Sequence, residues 1–229
     1  MTIAIMQPYF FPYIGYWQLL NEVDTFVIFD DVNFIKKGYI NRNSILINSE
    51  AQHFTLELLG ASQNKYINEI EVGENRHKLL KTIERAYKNA PQYTTVLPLL
   101  EAILKAPEKN LSKFLGYVLT HIAKFLEIET KFMYSSDIIK NTNLKAQDKI
   151  IDIAQRVNTT KYINAIGGKE LYNKDTFKEV GIELFFLETE LIEYKQFKND
   201  FVPYLSIIDL MMFNSVDEIK KMLNTYKLV

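Results

Sequence analysis

The opening of the chain constrains its fold most strongly, because two short apolar runs flank one helical segment. Ile3–Met6 is apolar and stops before a proline, and Thr25–Phe29 is a second apolar run that is ended by two acids. Between them, Gly15–Val23 carries apolar residues at the spacing of one helix face. We expect Tyr9–Pro12 to be an extended loop, since proline disfavours helix in the residue before it. This order predicts the first βαβ unit of a parallel sheet.

The rest of the pattern predicts more strands around a helix-rich middle. Helical spacing indicates helices at Arg76–Asn89, Gln92–Lys105, Leu111–Leu126 and Leu144–Arg156, a helical turn at Asp175–Val180, and C-terminal helices at Leu205–Phe213 and Val216–Tyr226. Strands are predicted at Phe132–Tyr134, Lys161–Asn164 and Ile182–Leu187, and a hairpin at Ser44–Ile47 and His53–Leu58. We therefore predict one α/β domain over residues 1–229, with a mainly parallel sheet, a Rossmann-like N-terminal unit, a helical subregion at 74–130 and a helix-rich C-terminal part.

The composition excludes several classes of protein. The 229 residues are 48% hydrophobic and 24% charged, which suits a folded chain with a substantial core and not a disordered one. The formal net charge is −1, so the basic excess of a nucleic-acid-binding protein is missing. The absence of cysteine excludes disulfides and thiolate nucleophiles. The three histidines are far apart, and no metal site is predicted from their spacing.

The first uncharged stretch, before Glu22, does not have the pattern of a signal peptide or a membrane helix. A signal peptide begins with basic residues and ends at a cleavage site made of small residues. Pro8 and Pro12 interrupt the stretch and disfavour a spanning helix. We therefore expect a cytoplasmic protein without membrane insertion, in which this segment is part of the fold.

The first candidate site is the loop between the first strand and the first helix. Open α/β sheets bind ligands at the carboxyl ends of their strands, and a helix N-terminus offers N–H groups to anions. Ten aromatic residues lie in Tyr9–Tyr39, and rings with polar tips suit a wall against a base or a sugar. The structural alternative is that these rings fill the core. The candidate binding residues here are Gln7, Pro12, Tyr13, Gly15 and Tyr16.

A polar segment follows the second predicted strand, at the same edge of the sheet. Its carboxylates could orient an attacking amine, and its cations could neutralise phosphates or an oxyanion. The alternative is a solvated turn in which acids and bases neutralise each other. The candidate catalytic residues are Asp30, Asp31, Lys36 and Arg42, and the candidate binding residues are Asn41 and Asn43.

A glycine pair, Gly167 and Gly168, follows the predicted strand Lys161–Asn164. Such a pair at a strand end can approach a phosphate closely, so both glycines are candidate binding residues. The segment lacks the full Walker spacing and the Ser or Thr that follows it, and a plain turn is the alternative.

The fourth candidate segment lies in the C-terminal part of the chain. The polar stretch Glu188–Asp200 is typical of a binding loop before a helix. Ser206 and Asp209 are three residues apart and so face one side of the predicted helix. The alternative is that Ser206 caps this helix and that Asp209 is a buried hydrogen-bonding residue. The candidate binding residues are Tyr194, Gln196, Ser206 and Asp209.

These four segments, in this order, resemble the WbqC-like family over nearly the whole chain. The resemblance is carried by Gln7-Pro8-x-x-x-Pro12-Tyr13-x-Gly15-Tyr16, Phe29-Asp30-Asp31-Val32-x-Phe34-x-Lys36 with Asn41-Arg42-Asn43, the Gly167-Gly168 turn, and Tyr194-x-Gln196 with Phe201-x-Pro203-Tyr204-Leu205-Ser206-x-x-Asp209-Leu210. That family occurs among bacterial genes for O-antigen and other surface polysaccharides. The resemblance implies a cytoplasmic role in making or tailoring a nucleotide-linked sugar for lipopolysaccharide biosynthesis.

A looser similarity concerns the N-terminal unit. Tyr13-Ile14-Gly15-Tyr16 occupies the position of the H-x-G-H motif in nucleotidyltransferases and pantothenate-synthetase-like ligases, where that motif binds ATP phosphates. This likeness implies a nucleotidyltransferase-like unit. Both histidine positions hold tyrosine here, which removes a side chain that titrates near neutral pH and so departs from ordinary adenylyl transfer.

The leading hypothesis is a transferase or amide-forming ligase that places an acyl or aminoacyl group on the amino group of a nucleotide-linked sugar. ATP and acyl-CoA are the candidate cofactors. One alternative is a non-catalytic protein that binds a nucleotide sugar or scaffolds other enzymes of the pathway. Another is a structural partner whose aromatic N-terminal surface forms a homo-oligomer interface. The first two hypotheses require segments near residues 10, 35 and 200 to converge around one cavity.

Overall fold

A six-stranded sheet lies at the centre of the fold in a computed structural model that describes residues 1–198 and 200–229. The strands are β1 Thr2–Met6, β2 Thr25–Ile28, β3 Arg42–Ile47, β4 Glu50–Thr55, β5 Leu58–Leu59, β6 Glu71–Val72, β7 Lys131–Tyr134, β8 Lys161–Ala165, β9 Glu183–Thr189 and β10 Tyr226–Leu228. The helices are α1 Ile14–Glu22, α2 Arg76–Tyr87, α3 Tyr93–Leu104, α4 Leu111–Phe125, α5 Ala146–Arg156, α6 Lys174–Glu179, α7 Ile207–Phe213 and α8 Val216–Met222. Within the described ranges, no helix has both the length and the apolar character needed to cross a bilayer.

The strand order is β10-β9-β8-β1-β2-β7, and only β10 is antiparallel to its neighbour. The chain builds one half of the sheet outward from β1 through β2 to β7. It then returns to the other side of β1 and builds the second half through β8 and β9. Such a reversal opens a crevice at the carboxyl ends of the two central strands. The α/β class with a mainly parallel sheet is confirmed, and the order is compatible with a Rossmann-like N-terminal unit.

Two apolar cores cover the two faces of the sheet. Because successive strand residues point to opposite faces, Ile3 and Ile5 enter one core and Ala4 enters the other. The smaller core packs against α5 and α6, and the larger one includes buried residues of α1, α4 and α7. Burial on both faces explains why the central strands read as continuous apolar runs.

The turn of the hairpin that follows β2 is shorter than the sequence pattern predicts. Asn48 and Ser49 form the turn with φ values of 52° and 69°, and β4 begins at Glu50 rather than at His53. Positive φ at both central positions matches the twist of the flanking strands. The prediction misplaced β4 because only Phe54 of this strand is buried, so the strand lacks the usual alternation.

The C-terminal segment also differs from the prediction, which continued the last helix to Tyr226. The helix α8 ends at Met222, and Tyr226–Leu228 forms β10 beside β9. The buried Gln18 amide contributes to the change, since it donates to the carbonyls of Met222 and Thr225, both at 2.9 Å. This partner from α1 acts together with local bonds, from the Thr225 N–H to the Met222 carbonyl and from the Asn224 amide to the Lys220 carbonyl.

We predict that Gln18→Ala lowers the free energy of unfolding by about 1–3 kcal/mol, because the carbonyls of Met222 and Thr225 each lose one hydrogen bond and each such bond contributes about 0.5–1.5 kcal/mol. Urea denaturation measures this change, and hydrogen exchange should show faster exchange in β10. The matched control is Gln155→Ala, at an exposed position on α5. Equal stability of the two variants would contradict the assigned role of Gln18.

Candidate functional site

A cleft of about 480 Å³ lies at the carboxyl ends of β1 and β8, where the winding of the sheet reverses. Met6 and Gln7 line it from the end of β1, and Asn164 and Ala165 line it from the end of β8. Six aromatic residues also line it: Tyr9, Tyr13, Tyr16, Phe29, Tyr39 and Tyr172. We call this the switch-point cleft. None of the described residues that line it is Lys, Arg, Asp or Glu.

The tyrosines of one wall pack against each other. The ring centroid of Tyr9 lies 5.4 Å from that of Tyr16 and 5.7 Å from that of Tyr39. Burial is the main reason that the pKa values of Tyr9, Tyr13 and Tyr16 are raised above their ordinary value. These hydroxyls are therefore neutral at pH 7 and can donate hydrogen bonds. The Tyr16 hydroxyl already donates to the Gln7 carbonyl at 3.0 Å.

The glycine pair lies on the opposite side of the same cleft, in a short helical turn over Ile166–Leu171. A Cβ on Gly168 would come within 2.4 Å of the Asn164 amide nitrogen, so packing alone accounts for this glycine. A Cβ on Gly167 would meet nothing within 4 Å. Packing therefore does not require a glycine at position 167. A ligand that approaches the backbone closely at this position would require one.

A second cavity of about 470 Å³ adjoins the cleft, and we call it the lateral cavity. Tyr13 and Ile166 line both spaces. The other lining residues are Ile14, Glu188, Thr189, Glu190, Leu191, Ile192, Tyr194, Phe201, Pro203, Tyr204, Leu205 and Leu210. A Cβ on Gly15 would lie 2.5 Å from both the Thr189 hydroxyl and the Tyr13 ring, so glycine lets α1 begin this close to β9.

The loop that carries these tyrosines is fixed by buried hydrogen bonds to distant segments. The Asn43 amide donates to the carbonyls of Phe10 at 3.3 Å and Phe11 at 2.8 Å. The Ser206 hydroxyl donates to the same Phe11 carbonyl at 2.8 Å and also caps α7. Phe11 has a φ of 46°, a conformation that costs energy in a bulky residue and persists only when its surroundings hold it. The Trp17 ring nitrogen donates to the Pro12 carbonyl at 3.0 Å.

The wall of the lateral cavity is held by a buried network around Asp209. Its carboxylate accepts hydrogen bonds from the hydroxyls of Tyr87 and Tyr194 and from the Gln196 amide, each at 2.7 Å. Gln196 in turn accepts from the Val202 N–H at 2.7 Å. Burial raises the pKa values of Asp209 and Tyr194. Of these residues only Tyr194 lines the cavity, so Gln196 and Asp209 lie behind the wall.

The two adjacent acids lie outside both cavities. Asp30 is buried and accepts hydrogen bonds from the hydroxyls of Ser112 and Ser136, both at 2.9 Å. Asp31 forms ion pairs with Lys140 at 2.8 Å and Lys149 at 3.4 Å. Burial on its own raises the pKa of Asp31, but the hydrogen bonds from Lys140 and the Ser135 hydroxyl and the charge of Lys149 outweigh it and lower the pKa. Asp30 lines a separate open depression of about 680 Å³ beside α4.

The remaining candidates of this segment also lie away from the cleft. Lys36 is exposed, and Arg42 donates to the Lys37 carbonyl at the start of the hairpin. The Asn41 amide donates to the Leu56 carbonyl at 2.9 Å. None of the three lines the switch-point cleft or the lateral cavity. The structure thus brings the candidates near residues 10, 167 and 194 together, and it leaves those of residues 30–43 outside both cavities.

The site includes residues that sequence reasoning did not select, among them Tyr39, Asn164, Tyr172, Glu188 and Glu190. Asn164 carried a signal, because it ends a predicted strand just before the glycine pair. Glu188 and Glu190 belong to the polar stretch whose composition is typical of a binding loop. No signal in the sequence indicated Tyr172, since its place in the cleft depends on the turn that follows β8.

We predict that Asp209→Asn gains stability relative to the natural protein as pH rises. Burial raises the pKa of Asp209 in the folded state, so its contribution to stability is fully present below its unfolded pKa of about 3.9 and is lost as pH rises through the folded value. Urea denaturation from about pH 4 to about pH 7 measures the difference between the two proteins. Glu170→Gln, at an exposed position, is the control. A difference that does not change with pH would contradict the prediction.

Comparison with known proteins agrees with the sequence resemblance. The WbqC-like protein family matches residues 7–221, which include the loop of the switch-point cleft, the glycine pair and the Asp209 network. The chain is also 26% identical over 214 residues to the uncharacterized protein Rv1507c of Mycobacterium tuberculosis, a match that covers 91% of this chain and 92% of that protein. No solved structure matches the chain. Because the family match spans nearly the whole sequence, the chain belongs to the WbqC-like protein family.

Proposed function

We propose that the protein binds a nucleotide-linked sugar in the switch-point cleft and acts in the biosynthesis of bacterial surface polysaccharides such as O-antigen. The observation that carries the proposal is a tyrosine-walled cleft at the point where the sheet reverses its winding. Such a point is where open α/β sheets bind ligands. Its volume of about 480 Å³ lies within the range of about 300–1,000 Å³ that is usual for small-molecule sites.

The residues that line the cleft suit a ligand that contains rings better than a ligand that is bound through its charges alone. The faces of Tyr9, Tyr39 and Tyr172 offer stacking surfaces to a base or to the apolar face of a sugar. Gln7 and Asn164 supply amide groups that suit sugar hydroxyls. Since the described lining has no cation, a diphosphate would depend on N–H groups of the backbone, and the open space at Gly167 suits that approach.

Within this proposal, the amino group of the sugar attacks the carbonyl carbon of an activated acyl or aminoacyl group, so that an amide bond forms and the nitrogen loses a proton. The bond broken is the one to the activating group, which leaves as CoA from an acyl-CoA or as the ATP-derived group from a carboxylate activated by ATP. The proposal that the cleft binds a nucleotide sugar has more support than the proposal that the protein catalyses this transfer. Asp30 and Asp31 are engaged by serines and lysines of the protein, and neither lines the cleft. The catalytic roles of Asp30, Asp31, Lys36 and Arg42 therefore stay predictions from the sequence. The alternative is a protein of the same pathway that binds the nucleotide sugar without transforming it.

We predict that Tyr39→Ala weakens the binding of a nucleotide sugar about tenfold, because stacking on one aromatic ring contributes roughly 1–3 kcal/mol. Tyr39 is 57% exposed, so its loss should not unfold the protein. Calorimetric titration with UDP-, GDP- and dTDP-linked sugars, with the matching monophosphates as separate arms, measures the affinity. The control is Tyr66→Ala, which removes a tyrosine that is 46% exposed and lies outside the cleft.

The proposal is wrong if no nucleotide sugar binds to the natural protein, or if both variants weaken binding equally. Binding of the monophosphates alone would show a nucleotide site without sugar recognition and would reject the sugar. Mass analysis of mixtures with acyl-CoA, or with ATP and amino acids, then separates the enzyme from the binding protein. A modified amino sugar supports transfer, and binding without any product supports the alternative.

A further inference from the structure

The lateral cavity differs from the switch-point cleft in its charge. We propose that it is a second subsite, which binds an apolar group that carries an ammonium, such as an aminoacyl group with its free amine, and which rejects phosphate. The binding claim rests on the lining of the cavity alone. The role of the bound group as a partner of the nucleotide sugar rests on the proposed function.

Most of the lining is apolar. Leu210 of α7 and Leu205, just before that helix, are buried, and Ile14 contributes from the start of α1. Leu191 and Tyr204 line the cavity although they are 71% and 81% exposed. A ligand that covers them would remove apolar surface from water, which contributes roughly 25 cal/mol per Å². The cavity volume of about 470 Å³ is ample for an amino acid side chain.

The ionised side chains of the cavity are acidic. Glu188 and Glu190 line it, and the described lining has no Lys, Arg or His. Glu190 is paired with Lys227 at 2.7 Å, outside the lining. Glu188 is exposed and lies directly across the sheet from Lys227, whose ammonium is paired with Glu190 and also feels the charge of Glu188. One ammonium faces two carboxylates, so the excess charge at this mouth is negative, which favours an ammonium over a phosphate.

One wall of the cavity is held in place before any ligand arrives. Tyr194 lines the cavity, and its hydroxyl donates to the buried Asp209 at 2.7 Å. Gln196 binds the same carboxylate and the Val202 backbone, which ties these three residues together. A preformed wall lowers the entropy that binding costs.

The position of the cavity suits a second substrate group. Tyr13 and Ile166 line both spaces, so a ligand in the lateral cavity lies next to a ligand in the switch-point cleft. Neighbouring subsites bring two reacting groups together and so convert a bimolecular step into one within a complex. An amine-bearing acyl group beside an amino sugar is the arrangement that aminoacyl transfer needs.

The test uses the full-length protein and two probes of similar size, leucinamide as a cation and N-acetyl-leucine as an anion. We expect leucinamide to bind, with shifts in the methyl NMR signals of Ile14 and Leu191, and N-acetyl-leucine to give none. Glu188→Gln should weaken leucinamide about fivefold, in line with an exposed charge pair, and added salt should weaken it further. The control is Glu183→Gln, an exposed position on the same strand outside the lining.

The inference is overturned if leucinamide fails to bind, if N-acetyl-leucine binds equally well, or if the two glutamate variants behave alike. The Tyr39→Ala titration with nucleotide sugars is independent of these probes. Leucinamide binding without any sugar binding would reject the proposed function and retain the lateral subsite. Sugar binding without leucinamide binding would retain the proposed function and reject the lateral subsite.

Discussion

The Phe11 carbonyl is the point through which the two halves of the site depend on each other. It accepts hydrogen bonds from Asn43 in β3 and from Ser206 at the start of α7, both at 2.8 Å. Ser206 is also bonded through its N–H to the Ser44 carbonyl at 2.8 Å. These bonds are buried, where a missing partner costs about 1–3 kcal/mol. They fix a loop whose φ at Phe11 is unfavourable, and so they set the direction of the tyrosines that follow.

The parts of the fold that the sequence predicted well are those with a strong local signal. β1, α1 and β2 follow from two apolar runs and one helical stripe, and the parallel pairing of β1 with β2 follows from their order. β10 has only three residues, and one of the contacts at the end of the helix before it comes from Gln18, about two hundred residues away in the chain. The end of that helix therefore depends in part on a tertiary contact, which local spacing does not record.

In the candidate site too, the sequence predicted which types of residue are present, but it did not predict contacts between distant segments. Sequence reasoning could place Tyr13 and the glycine pair at one edge, because strand order alone puts them there. It could not tell whether Asp30 and Asp31 face a ligand, because their partners are Ser112, Ser136, Lys140 and Lys149, far along the chain. The sequence does not distinguish an acid that the protein itself hydrogen-bonds from an acid that binds a substrate.

Tyr13 lies between the two cavities and, with Ile166, lines both of them. Its ring lies against Gly15, where a Cβ would come within 2.5 Å of the ring and of the Thr189 hydroxyl. Glycine at this position lets the ring stand between a cleft with an uncharged lining and a cavity lined by two carboxylates. Because the two spaces differ in charge on either side of Tyr13 and Ile166, we expect a ligand with one cationic end to place that end in the lateral cavity. The absence of a side chain at Gly15 thus sets the position of the wall between the two cavities.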